Sequence, residues 1–128
     1  DTFKLPRESV GKTVTVSVTG TKLGYVTETL ASSGSTIAAL TFIKAPVPSI
    51  KGTAVVGKKL TAYIGTWDDG TTISYQWKRN GVAISGATRG TYVLVKADKG
   101  KLITISITGN QPFFTSTTKT SKATAKVK

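Results

Sequence analysis

The sequence predicts an all-β protein: a Greek-key β-sandwich of about seven strands over residues 44–128, preceded by a β half-repeat. Three observations carry this. Apolar and polar residues alternate with period two in Thr13-Val14-Thr15-Val16-Ser17-Val18 and in Ile103-Thr104-Ile105-Ser106-Ile107, the spacing that sends successive side chains to opposite faces of a strand. Thr and Ser make up 34 of the 128 residues, and the β-branched Thr in such runs fits a pleated, half-buried surface. Gly, Asn and Asp turn signals separate the runs at short, regular intervals, and no stretch sustains helical periodicity.

Taken in order, residues 45–50 read as an edge strand limited by Pro46 and Pro48, since proline has no N–H to give to a ladder. Gly57 turns the chain, and Leu60, Ala62 and Ile64 alternate on one face of the next strand. Trp67 closes that strand before the turn Asp68-Asp69-Gly70. Ile73, Tyr75 and Trp77 then share one face of a strand, with Ser74, Gln76 and Lys78 on the other. Asn80-Gly81 is a two-residue hairpin turn, because both central positions need a positive φ that Asn and Gly tolerate best. Val82, Ala83 and Ile84 follow, and Ser85-Gly86 turns again. Residues 91–95 form a strand and Asp98-Lys99-Gly100 a corner. Residues 102–108 form a strand with Ile103, Ile105 and Ile107 inward, residues 109–112 a loop, and the Thr-rich stretch 115–127 the last strand. The expected core is Ile73, Tyr75, Trp77, Leu94, Ile103, Ile105 and Phe114.

The two ends of the chain are copies of each other. At an offset of 89, Thr2-Phe3-Lys4-Leu5 falls on Thr91-Tyr92-Val93-Leu94, and Gly11-Lys12-Thr13-Val14-Thr15-Val16-Ser17-Val18-Thr19-Gly20 falls on Gly100-Lys101-Leu102-Ile103-Thr104-Ile105-Ser106-Ile107-Thr108-Gly109. Thr29 meets Thr118 and Ser32 meets Ser121. The chain therefore reads as the C-terminal half of a preceding repeat (1–40), an extended linker (41–48) whose prolines hold their predecessors out of helical geometry, and a complete repeat (44–128). A unit of about 85–90 residues is the size of a small sandwich rather than a solenoid turn. The half-repeat supplies two or three strands without the strands that cover their apolar face, and an isolated hairpin is marginal in water. It is expected to be the less stable part, or to dock against the full repeat or a neighbouring chain.

Composition narrows the chemistry. Cys, His and Met are absent, which removes disulfides, thiol nucleophiles, the usual general base and the commonest metal ligands. No enzymatic activity, metal or cofactor is expected. No apolar run is long enough to cross a membrane as a helix, and with no basic-then-apolar leader Asp1 is expected to be a boundary inside a longer protein. The net charge is +12. It is uneven: residues 1–40 carry four basic and three acidic side chains, whereas residues 41–128 carry fourteen and three. A field of that sign attracts anionic polymers, although it also serves solubility alone.

Pro46-Val47-Pro48, Val56-Gly57-Lys58-Lys59-Leu60-Thr61, Gly65-Thr66-Trp67, Tyr75-Gln76-Trp77-Lys78-Arg79-Asn80-Gly81, Ile84-Ser85-Gly86-Ala87-Thr88 and Ala97-Asp98-Lys99-Gly100 together resemble the tandem immunoglobulin-like repeats of secreted and cell-surface proteins of Gram-positive bacteria, actinobacteria above all. The resemblance covers residues 44–128, and its second half recurs in residues 1–38. It implies a non-catalytic, extracellular or cell-wall-associated module that spaces, displays or adheres, with neighbouring repeats and domains as its partners. Trp77 stands where the buried tryptophan of the third strand falls, and Asp98-Lys99-Gly100 resembles the corner before the sixth strand. Leu102 and Thr104 replace the corner tyrosine and the second cysteine of the wider superfamily, so stability is expected from apolar packing alone.

Five residues are candidates for ligand contact with a cell-wall glycan or anionic polymer. Trp67 ends a strand, where an indole either stacks on a sugar or plugs the core. Phe113 stands where the other copy has Gly24, in a loop, where the added ring is either exposed for contact or, as is the commoner outcome, repacked locally. Lys58, Lys59 and Arg89, with Lys78, Arg79, Lys96, Lys99 and Lys101, are candidates for a basic face, although adjacent strand residues such as Lys78 and Arg79 point to opposite sides unless the turn twists them. No aromatic RNA-binding motif or groove-reading helix is present, so specific nucleic-acid readout is not expected. Asp68-Asp69-Gly70 lacks the about six to eight oxygen ligands of a calcium site and reads as a turn.

Overall fold

The protein is described by a computed structural model over residues 2–128, which divides into one unit ending at Leu40 and a second spanning Thr41–Lys128. Apart from two single-turn 3-10 segments, every regular element is a strand.

In the first unit β1 (Thr13–Val14) pairs with β4 (Ser35–Thr36), and β2 (Ser17–Gly20) pairs antiparallel with β3 (Glu28–Ala31). None of its described residues is buried; Ser9, Val10, Val14 and Ile37 are half-buried and the rest are exposed.

The second unit holds two antiparallel sheets. One has the order β5 (Ser49–Lys51), β6 (Lys59–Tyr63), β9 (Thr91–Val93); the other has β11 (Thr117–Thr120), β10 (Ile103–Asn110), β7 (Thr72–Arg79), β8 (Val82–Ala83). Their inner faces supply Leu60, Trp77, Ile103, Ile105 and Ile107 to one core, which Trp67, Leu94 and Val127 complete from the connecting segments. Alternation along β10 buries all three isoleucines, and β7 places Trp77 opposite Ile105 at the centre of its sheet. Ile73 and Tyr75 pack half-buried against this core. Phe114 does not reach it: the ring is half-buried and packs on Phe42 at 5.1 Å between centroids.

Asn80 (φ 46°) and Gly81 (φ 83°) form the expected hairpin turn, and Asn80 gains a second role as its Oδ1 accepts the Leu102 N–H at 2.9 Å. Other boundaries move. Pro46 and Pro48 delay the edge strand, which starts only at Ser49. β10 runs through Gly109 to Asn110, where a loop was expected, because its ladder with β7 continues to Thr72. The last strand ends at Thr120. Ser121 then closes the ladder with its side chain, Oγ accepting from Ile105 N–H at 3.1 Å. Residues 41–48 hold no strand, bend at Ile43 and belong to the second unit: the Asp68 carboxylate accepts from Ile43 and Lys44 N–H at 2.7 and 3.1 Å. The expected Asp68 turn is thereby also a clasp.

Stability does not rest on apolar packing alone. Asp98, wholly buried, accepts from Arg79 Nε at 2.6 Å, Tyr92 Oη at 2.9 Å and Val95 N–H at 2.8 Å. Arg79 and Asp98 are far apart in sequence, and the corner strand order brings them together.

The internal repeat is structural as well as textual. Ser17↔Ala31, Val18↔Leu30, Thr19↔Thr29 and Gly20↔Glu28 occupy the register of Ser106↔Thr120, Ile107↔Lys119, Thr108↔Thr118 and Gly109↔Thr117. The Thr19–Thr29 hydroxyl pair (2.8 Å) repeats as Thr108–Thr118 (2.7 Å), and Val16 N–H to Ser32 Oγ (3.0 Å) repeats as Ile105 to Ser121. The 3-10 turn Arg7–Ser9 repeats as Lys96–Asp98. The offset of 89 slips by one residue after Ser32. Ile37, bonded to Gly11 and Lys12, takes the role of Val127, bonded to Gly100 and Lys101.

Candidate functional site

Trp67 is not a ligand platform. It is 7% exposed, packs edge-on against Phe42 at 5.7 Å, and lies so close over Gly109 that a Cβ there would collide with its ring. A glycine on β10 makes room for the indole, which plugs the core not from the end of a strand, as expected, but from the loop after β6, since that strand stops at Tyr63. Its Nε1 has no hydrogen-bond partner.

Phe113 is 42% exposed and takes a left-handed φ of 69°, matching Gly24 (φ 83°) in the other copy. The turn was built for glycine, and phenylalanine at such a φ costs about 1 kcal/mol or more. Phe113→Gly should therefore leave the stability measured by urea unfolding unchanged or raise it by about that amount. A loss above about 1 kcal/mol would mean that the ring is needed for packing.

Lys58, Lys59 and Arg89 are exposed but do not form one patch with the aromatics. Lys59 pairs with Val93 at one end of the β6–β9 ladder, while Lys58 precedes it and its carbonyl accepts from Leu94 N–H. Arg89 lies beyond the other end of that ladder, its carbonyl taken by Trp77 Nε1 at 2.8 Å. Trp67 and Phe113 belong to the loops joined through the Phe42–Trp67 and Phe42–Phe114 contacts.

A different surface emerges from the register of the three-stranded sheet. Ser49↔Tyr63, Lys51↔Thr61, Lys59↔Val93 and Thr61↔Thr91 are cross-strand pairs, and all of these residues are exposed. Leu60 and its neighbours point the other way, into the core. Tyr63 stands on this outer face with Lys51 Nζ over its ring, 5.1 Å from the centroid, a cation–π pair. Lys51 and Lys59 flank a ring and threonine hydroxyls, and none of the three acidic residues of this unit lies on these strands. Tyr63 was overlooked in the sequence, although the inward alternation of Leu60, Ala62 and Ile64 already sent it outward.

Two further features are chemically quieter. An open groove of about 620 Å³ runs between residues 47–54 and 122–125, lined by small, mostly apolar side chains with Lys122 at its rim. The Asp98 cluster is closed, since its carboxylate is occupied by three donors and buried. Burial, then the hydrogen bond to Asp98, pushes the Tyr92 phenol above its ordinary pKa. The hydrogen bond to Asp98 likewise raises Arg79. A folded-state value raised above the unfolded one contributes stability that is fully present below the unfolded value, about 10 for tyrosine, and lost as pH rises through the folded value. The gap in urea midpoint between the wild type and Tyr92→Phe should therefore be constant at neutral pH and shrink above about pH 10. A gap that does not change with alkaline pH would reject the assignment.

Among the described residues no group of three or more His, Cys, Asp or Glu is placed to hold a metal, and no helix is long and apolar enough to cross a membrane. No family model, curated protein or solved structure matches the chain.

Proposed function

We propose that this chain is a non-catalytic, immunoglobulin-like repeat module of an extracellular or cell-wall-associated protein, serving as a spacer or display element for neighbouring domains. The observation that carries it is the repeat at an offset of 89, in which strand register, side-chain hydrogen bonds and the 3-10 corner all recur. A chain built of serial copies of one sandwich half and its complement is built for length and orientation. The sheet orders β5-β6-β9 and β11-β10-β7-β8, with Trp77 central in the second, support the immunoglobulin-like reading.

A second reading, adhesion to cell-wall glycan or anionic polymer, is favoured by the outer face around Tyr63, Lys51 and Lys59. Retention of the 128-residue chain on cell-wall polysaccharide at low and high salt separates the two. A spacer is not retained above background. Retention that falls steeply with salt means polyanion binding. Retention that ignores salt and disappears in Tyr63→Ala means stacking on a neutral sugar. That substitution should leave stability within about 0.5 kcal/mol of wild type, because the ring is outside the core.

A further inference from the structure

We infer that the apolar face of the first unit is an acceptor for a β half-module with the chemistry of residues 41–90, entering along the free edge of β2 in the register that β7 has on β10. The inference rests on the repeat reading and adds to it an occupant, an edge and a register.

The second unit shows what covers this face when it is covered. Val16 and Val18 are 60% and 65% exposed, whereas their counterparts Ile105 and Ile107 are fully buried beneath Trp77 and its neighbours. Phe3 and Leu5 are exposed, whereas Tyr92 stacks on Trp77 and Leu94 is buried. The difference is not in the strands themselves, since register and hydrogen bonds are the same in both copies. It lies in the strands laid over them.

The edge of β2 points to the same occupant independently. Val16 gives its N–H to Ser32 Oγ and its carbonyl to Ser32 N–H, both on the β3 side. Backbone groups alternate along an extended chain, so Ser17 and Thr19 of β2, and Thr15 just ahead of it, turn theirs to the opposite edge, where β2 has no partner strand among the described residues. The corresponding Thr104, Ser106 and Thr108 face Lys78, Gln76 and Ser74 of β7. An unpaired edge beside an uncovered apolar face is the arrangement that takes an added strand.

A third mark is Gly20. Its counterpart Gly109 lies under the Trp67 ring, whereas nothing stands within 4 Å of a Cβ built on Gly20. The first unit thus keeps the glycine that makes room for an indole, and the half-module that supplies such an indole is residues 41–90.

The test is amide hydrogen exchange on the 128-residue chain and on the same chain extended by a second copy of residues 41–89 placed directly ahead of Asp1. The expected result is that Thr15, Ser17 and Thr19 exchange at least about a hundredfold more slowly in the extended chain, with Thr104, Ser106 and Thr108 unchanged. Gly20→Ala should leave the unextended chain as it is and reduce the gain in the extended one. Equal exchange in both chains overturns the inference. So does slow exchange of these three amides in the unextended chain accompanied by sedimentation as a dimer, which would make a second copy the occupant. Retention on polysaccharide does not enter this readout, so the spacer reading and the acceptor face fail separately.

Discussion

Replacing Trp77 with alanine should destabilise the second unit by about 4 kcal/mol or unfold it outright, the cost of truncating a large buried aromatic. Trp77 has no exposed surface and sits on β7 between β10 and β8, opposite Ile105. Its ring stacks on Tyr92 at 5.8 Å, so alanine removes contacts from two sheets at once. The surrounding β-branched side chains are stiff at χ1 and collapse poorly into a void. The truncation also strips the carbonyl of Arg89 of its indole donor, adding about 1 kcal/mol where that carbonyl is not rehydrated. A domain of this size has only about 5–15 kcal/mol in total. Urea unfolding followed by far-UV circular dichroism measures the loss, with Trp67 as a separate fluorescence probe. Trp77→Phe should fall between, since it keeps much of the volume and loses the hydrogen bond. A loss below about 2 kcal/mol for the alanine variant would show that the core is not pinned at this residue.

Why that core was legible, while much of the surface was not, follows from the range over which each feature is determined. Burial of Trp77, Ile103, Ile105 and Ile107 follows from period-two alternation inside single strands, a local property. The Asn80-Gly81 turn is equally local, since its backbone demands fall on the two residues that meet them. Trp67 is different. Whether this indole lies open or buried was decided by Gly109, which comes from β10 and leaves the space that the ring fills. The Arg79–Asp98 pair is non-local in the same way, and no spacing rule joins them. Phe113 was legible as an oddity because the aligned Gly24 marked a turn that needs no side chain, but its exposure, against the commoner outcome of local repacking, was settled only by the left-handed backbone that turns the ring outward. Tyr63 was legible in principle, but an outward residue becomes a site only when register shows which cations stand beside it. The repeat was visible from end to end except where it slips between Ser32 and Ile37, where matching letters give way to matching hydrogen bonds.

Asp98→Ala should cost the second unit about 3–4 kcal/mol, although it removes a charge from the core. A buried carboxylate is expensive to desolvate, and replacing a whole ion pair by apolar residues is often neutral. The single substitution is harmful for a different reason: it strands the donors. Three donors converge on Asp98, from Arg79, Tyr92 and the backbone of Val95, and alanine leaves all of them without an acceptor. Arg79 recovers part of its loss because its side chain is 29% exposed and rehydrates. Tyr92 and Val95 recover less, and the 3-10 corner Lys96–Asp98 loses the side-chain bond that ties it to Val95. Asp98→Asn keeps the shape but offers one carbonyl oxygen in place of two carboxylate oxygens, so it should cost less, about 2 kcal/mol. A double-mutant cycle with Arg79→Met separates the ion pair from the rest. If the double variant recovers at least about 1 kcal/mol relative to the sum of the singles, the penalty of Asp98→Ala comes partly from the unpaired guanidinium. If the singles add, Arg79 rehydrates fully, and the weight of the cluster falls on Tyr92 and the corner backbone. The equivalent position in the first unit is Ser9, which bears no carboxylate, so the three-donor cluster belongs to the second copy alone and the loss expected for Asp98→Ala has no counterpart at that position of the first.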